Sequence, residues 1–128
     1  DLWDDVKGWM VESGYARGQL DPYVLNVRES HNIYGKDPKE RSAWLPPEAT
    51  QSDTPEVVYW AGCIASYEKQ QIARAVIKIL NAAKVAYRIL GPEEWCTGAP
   101  LARMGYRREV EKEIMPHNLE AVARTVRP

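Results

Sequence analysis

Apolar and polar positions change rhythm near the middle of this chain. At its start, Leu2, Val6, Trp9 and Met10 fall at i, i+4, i+7 and i+8, one face of a helix that Gly14 can end at its C′ position. Asp21 before Pro22 reads as an N-cap with proline at the first helical position, opening a turn or two through Val24 and Val27. Asp37-Pro38-Lys39-Glu40 repeats the device, with Glu40 as a capping-box partner. The aromatics of this stretch, Trp9, Tyr15, Tyr23, Tyr34 and Trp44, read as exposed, and no strand pattern accompanies them. Residues 1–50 are therefore expected to be a helical connector segment that packs on the rest of the chain or on a partner.

From Trp44 to Pro55 the sequence is WLPPEATQSDTP, without periodicity, which marks a linker. Beyond it the pattern is that of an α/β protein. Val57-Val58-Tyr59-Trp60-Ala61 is a β-branched and aromatic run bounded by Pro55 and Gly62, the signature of a buried strand. Ser66 to Ala82 is helical: Ile72, Val76 and Leu80 step by four, Ile79 and Ala83 widen the stripe, and Ser66 is the candidate N-cap with Glu68 in the first turn. Val85 to Leu90 is a second strand, stopped by Gly91-Pro92. Strand, helix and strand predict a parallel βαβ unit, a Rossmann-like half. A further helical stretch begins near Tyr106. Pro116 should break or kink it, and Asn118 can cap a last helix carrying Leu119, Val122 and Val126.

Composition adds exclusions. A net charge of −1 gives no electrostatic footprint for nucleic acid or for an anionic membrane surface, and no apolar run reaches the length that spans a bilayer. Asp1-Leu2-Trp3-Asp4-Asp5 has neither the basic start nor the apolar core of a signal peptide, and the chain lacks an initiating Met, which suggests a processed or excised piece. Two cysteines in 128 residues are no disulfide framework, so a reducing, cytoplasmic setting is expected.

The chemistry rests on those cysteines. Cys63 lies two residues past the first strand and Cys96 six past the second. In parallel strands both C-terminal ends meet at one sheet edge, where open α/β sheets place ligands, so the sulfurs are expected within about 10 Å of each other. Gly62 and Gly98 flank them and permit close backbone approach and positive φ. A helix starting at Ser66 would direct its N-terminus at Cys63 and favour thiolate. Both cysteines fall outside the apolar stripes, so their replacement by serine is expected to leave stability nearly unchanged. The opposing reading is that both are small buried hydrophobes. His31 and His117 are isolated, and the 32 residues between the cysteines lack the short spacing of zinc knuckles. Arg103, Arg107 and Arg108 with Glu109, Glu111 and Glu113 read as a solvated helix face, the arginines alternatively docking an anionic thiol substrate. No glycine-rich phosphate loop is present, which argues against a nucleotide domain.

The stretch from Val57 to Tyr106 resembles the cysteine-rich CCG domain of heterodisulfide reductase-type iron–sulfur proteins, whose members include the B and D subunits of heterodisulfide reductase and the iron–sulfur subunit of glycolate oxidase. Gly62-Cys63 matches the family's first Gly-Cys, and Cys96-Thr97-Gly98-Ala99-Pro100 matches the Cys-Thr-Gly variant of its Cys-Cys-Gly element. Asn32, Tyr34, Gly35, Arg41 and Trp44 match the connector that precedes the first such domain. The resemblance implies that Cys63 and Cys96 ligate an iron–sulfur cluster (4Fe–4S in the ordinary case), with Gly62, Thr97 and Gly98 lining it. It implies other redox subunits as partners, flavin- or iron–sulfur-bearing, with a membrane quinone-linked subunit as one option. Residues 51–128 would then be a partial CCG domain. The family's later Cys-x-x-Cys and its ferredoxin-like cysteines are missing, and Thr97 replaces the second cysteine of Cys-Cys-Gly. Two thiolates cannot close an ordinary cluster, so the isolated chain is expected to hold none intact and to be inactive.

Three classes of function stay open on the residues alone: an iron–sulfur electron-transfer module, a noncatalytic α/β interaction domain with buried cysteines, and a dithiol/disulfide redox module.

Overall fold

A computed structural model describes residues 1–15 and 22–126. Helix α1 spans Leu2–Glu12, capped by the Asp1 carboxylate, which accepts from Asp4 N, and closed at Gly14 with φ +75°. Its apolar face does not turn inward: Leu2 is 80% exposed and Trp9 61%, and no residue of the helix is buried. The helix docks through its other side. Lys7 Nζ donates to the Arg103 carbonyl, and a Cβ on Gly105 (φ +102°) would lie 2.5 Å from the Lys7 carbonyl oxygen, so only glycine admits this backbone contact. Helix α2, Pro22–Ser30, buries Val24 and Val27. The cap expected at Asp21 lies outside the described residues. Asp37 does cap, accepting from Lys39 N, but what it opens is one 3₁₀ turn over Pro38–Ser42.

The sheet is small. Strands β1 (Val57–Tyr59) and β2 (Tyr87–Ile89) are parallel, with Val57 opposite Tyr87 and Tyr59 opposite Ile89. Both are shorter than the apolar runs predict. At the end of β1 the cause is visible: Ala61 and Gly62 give their N–H groups to the Glu94 carboxylate rather than to a neighbouring strand. The proline-rich segment runs along β2. Gln51 bridges to Tyr87, Ser52 N donates to Tyr87 O, and Thr50 N donates to the Tyr87 hydroxyl. Trp44, which reads as exposed in the sequence, is 1% exposed and meets Tyr59 edge-on.

Between the strands, α3 spans Gln70–Ala82. Ser66 is not its N-cap: residues Ile64–Glu68 wind as a π turn, with Lys69 N donating to Ile64 O, and α3 starts afresh after Lys69. Glu68 therefore sits outside the helix and accepts from the Tyr34 hydroxyl. The buried line on α3 is Ala73 and Ile77. Val76 and Leu80 flank it, whereas Ile72 and Ile79 are 50% and 65% exposed.

After β2, α4 (Ala99–Arg103) leads to a long helical run: α5 (Arg107–Glu109), a π turn (Val110–Ile114) and α6 (Met115–Val126). Pro116 does not break this run. Met115 N donates five residues back to Val110 O, and the winding returns to α as the chain passes Pro116, which has no N–H to offer. Asn118 is no cap either; it is buried inside α6. Of the expected apolar stripe, Leu119 and Val126 are 64% and 49% exposed and Val122 is half-buried.

Among the described residues, two clusters form the core. One joins Trp44, Ala65, Ala73, Ile77 and Tyr87 around the sheet and α3. The other joins Val24, Val27, Leu101, Val110 and Ile114 with both cysteines. Among the described residues no helix is long and apolar enough to cross a membrane.

Candidate functional site

Cys63 and Cys96 sit on the loops that leave β1 and β2, and the parallel pairing brings the two loops to one end of the sheet. Both cysteines are free and pack into one buried cluster, close enough for each to shift the other's titration. Gly62 (φ +74°) and Gly98 (φ +80°) both take the left-handed conformation. Gly98 has a second requirement, since a Cβ there would fall 2.6 Å from Val110 Cγ1. Thr97 stands apart. It is exposed, and its hydroxyl accepts from Ala99 N at 3.4 Å, a local turn bond at the start of α4.

The cysteines are also more deeply packed than loop positions suggest. Cys63 is 9% exposed and Cys96 3%, both against Val24, Val27, Leu101, Val110 and Ile114. The expectation that they lie outside the core is thereby corrected: α2 and the run from α4 to α6 close over the loop edge and make it an interior.

A buried polar frame fixes the pair, and sequence reasoning passes over most of it. Glu94, 2% exposed, accepts from Arg41 Nη1 at 2.6 Å, from Gly62 N at 2.8 Å and from Ala61 N at 3.0 Å. Every one of these partners is a donor, so the group is a carboxylate. Burial pushes the Glu94 carboxyl up, opposed by Arg41 and the two N–H groups. Glu94 thus ties the Cys96 loop, to which it belongs, to the backbone of the Cys63 loop. Arg41 is itself 2% exposed and reaches with Nη2 to the His31 carbonyl at 3.1 Å and to Cys63 Sγ at 3.5 Å. Asn118 anchors the other side: its Oδ1 accepts from Trp95 N at 3.2 Å and its Nδ2 donates to the Cys96 carbonyl at 3.1 Å. Cys96 N in turn donates to His31 O at 2.7 Å.

The connector supplies the remaining supports. Asn32 is fully buried and makes four bonds within its own loop, donating to the Ser30 and Lys36 carbonyls and accepting from Tyr34 N and Lys36 N. That loop presents the Ile33 N–H to Cys63. Trp95 is sandwiched between His31 and His117, with ring centroids 3.6 and 3.7 Å apart and planes within 12°. His117 also bonds the Glu93 carbonyl through Nε2 at 2.9 Å. Both histidines therefore brace the Cys96 loop. The Arg103–Glu113 helix face is largely solvated as expected, with Glu109 clamped by Arg28 and Arg107 near Asp5.

These contacts split the two thiols electrostatically. The Cys96 hydrogen bond, the Ile33 N–H and Arg41 draw Cys63 down to about 6 against its burial. The N-terminus of α3, expected to do this, begins too late at Gln70. Cys96 moves the other way: it donates its proton to Cys63, and burial and the neighbouring thiolate keep it protonated. The pair is thereby polarised, Cys63 toward thiolate and Cys96 toward thiol. Thiolate is the form that binds metal and attacks disulfides, so this donor set fits two ligands of a sulfur-rich metal centre. Among the described residues no group of three or more His, Cys, Asp or Glu gathers where it could hold a metal ion.

Comparison with known proteins agrees in kind. The chain is 34% identical over 125 residues to the D subunit of dihydromethanophenazine:CoB–CoM heterodisulfide reductase from Methanosarcina barkeri, covering 95% of this chain and 31% of the relative. It is 26% identical to the EtfAB:quinone oxidoreductase of Syntrophomonas wolfei, over 84% of this chain and 16% of that protein. It is 29% identical to a probable iron-sulfur-binding oxidoreductase of Bacillus subtilis, over 86% and 18%. The chain thus spans about a third, or less, of the length of these relatives. No solved structure matches it. The profile described as "CCG: Cysteine-rich domain" matches residues 57–127, which hold both strands, both cysteines and Glu94. The chain belongs to the cysteine-rich CCG-domain family.

Proposed function

We propose that this chain is the part of an iron–sulfur electron-transfer oxidoreductase, of heterodisulfide reductase type, that contributes Cys63 and Cys96 as cluster ligands. The observation that carries the reading is the burial of both cysteines in one interior, held there by Arg41, Asn118 and the His31 carbonyl. Relatives named as a heterodisulfide reductase subunit and as a probable iron-sulfur-binding oxidoreductase support it. A bound cluster supplies one-electron transfer. The chain's own residues do the rest. Cys63 offers a thiolate and Cys96 a thiol that would give up its proton on binding, Gly62 leaves its loop bare enough for close approach, Gly98 lets the Cys96 loop pack on Val110, and Arg41 offsets negative charge beside Cys63. Thr97, exposed and turned to its own loop, has the weakest case as a lining residue.

The same reading makes β1, α3 and β2 a Rossmann-like half of a partial CCG domain over residues 51–128, with residues 1–50 as its connector. Remaining thiolates would come from polypeptide outside residues 1–128, and the isolated chain would be inactive. Its partners would be other redox subunits, in a reducing, cytoplasmic setting. Iron and acid-labile sulfide, measured on the longest natural version of the protein and on residues 1–128 alone, test this. The longer protein should bind both and the short monomer should purify colourless. A longer protein without iron, or stoichiometric iron on the short monomer, contradicts the reading.

A further inference from the structure

The two cysteines are the chain's whole complement; both are free, and both lie in one buried cluster on loops that leave paired parallel strands at one end of the sheet. Co-location of this kind favours a disulfide, because folding has already removed most of the chain entropy of bringing the two cysteines together. The surroundings preserve the approach. Cys63 is held by Arg41 Nη2 and the Ile33 N–H, while Cys96 is held at its N–H by His31 and at its carbonyl by Asn118.

We propose that, whenever no metal occupies the site, Cys63 and Cys96 form an intramolecular disulfide with a small-molecule disulfide as oxidant, so that the pair is a redox latch on its own ligand site. The step balances as two exchanges. Cys63 sulfur, as thiolate, attacks oxidised glutathione, forming a mixed disulfide and releasing one glutathione thiolate. Cys96 sulfur then gives up its proton to that thiolate and attacks Cys63 sulfur, closing the Cys63–Cys96 bond and releasing the second glutathione thiolate. Two electrons pass from the cysteine pair to glutathione disulfide, and the second leaving group takes its proton from solvent. The closed form has no thiolate to offer a metal, and reduction restores both.

The latch shares with the iron–sulfur reading only the juxtaposition of the sulfurs, so the two can fail separately. The test equilibrates the metal-free chain in glutathione redox buffers, once folded and once in urea, and counts free thiols by alkylation and intact mass. The folded chain should pass from two free thiols to none as a monomer two hydrogens lighter. Its oxidation constant should exceed that of the denatured chain at least about tenfold, equivalent to about 30 mV for a two-electron couple. An equal or smaller constant in the folded state, stable mixed disulfides in place of the internal bond, or disulfide-linked dimers overturn the proposal. Iron content of the longer protein plays no part in this outcome. Its loss would remove the cluster reading and leave the latch standing.

Discussion

The two buried clusters of this chain are held by different physics. Around the sheet, Trp44, Ala73, Ile77 and Tyr87 meet through apolar surface that has no preferred direction. Around the cysteines, apolar walls enclose a set of directed bonds: Arg41 to Glu94, Glu94 to the Ala61 and Gly62 N–H groups, and Asn118 to Trp95 and Cys96. Buried polar groups are costly unless satisfied, and these are satisfied by one another. The first arrangement supplies stability and tolerates reshaping. The second specifies where two sulfurs stand.

Breaking the second should therefore cost most and move the site as well. Arg41→Ala leaves the Glu94 carboxylate buried without its cation and should lower the unfolding free energy by about 3–5 kcal/mol, read from urea melts. Replacing both Arg41 and Glu94 by apolar residues should recover only part of that, because the Ala61 and Gly62 N–H groups would then be orphaned. Full recovery would mean that Glu94 serves only as a counter-ion. In the sheet cluster, Ile77→Ala should cost about 2–5 kcal/mol through lost burial and a cavity, and leave the cysteine titration where it was. Val76→Ala, at a half-buried position, should cost less than Ile77→Ala. Cys63→Ser and Cys96→Ser fall between the regions: a hydroxyl in place of a buried thiol should cost about 1–3 kcal/mol, not the near-zero expected of loop positions.

A pH series separates the clusters without mutation. Folding draws Cys63 from its ordinary value of 9.0 down to about 6. The stabilisation this brings is fully present above about pH 9, falls as the pH drops, and is gone below about 6. Thiolate absorbance in the far ultraviolet should show one group ionising near pH 6, with Cys96 remaining protonated far above it. A single step in the ordinary thiol range would show that the frame does not polarise the pair. The smallest effect is expected at Ser66, whose buried hydroxyl has no hydrogen-bond partner among the described residues. Ser66→Ala removes an unsatisfied group, so its urea midpoint should be unchanged or raised.

What can be read from the sequence follows the same division. Strand runs at Val57 and Val85, the helix ending at Ala82 and the meeting of Cys63 with Cys96 are legible, because periodicity and parallel topology are local or nearly so. The motif residues Asn32, Arg41 and Trp44 stand out as well, yet their burial does not, since a charged or aromatic residue in a polar connector carries no mark of its distant partner. Glu94 and the anchoring role of Asn118 escape notice for that reason. Glu94 does leave one sign, a carboxylate in the loop that leaves a strand, beside a tryptophan and two residues before a cysteine. Ser66, Pro116 and Asn118 mislead together. Each reads plausibly under α-helical rules, and π winding after Cys63 and before Pro116 changes which residue stands at a helix end.

The most direct measurement is iron and acid-labile sulfide per molecule in the longest natural protein, beside its Cys63→Ser and Cys96→Ser variants, each confirmed folded by circular dichroism. If these two residues are ligands, both variants should lose one cluster's iron and sulfide while retaining any cluster held elsewhere in the polypeptide. Full iron and sulfide in either folded variant would show that the cysteine pair is core packing and not a cluster site.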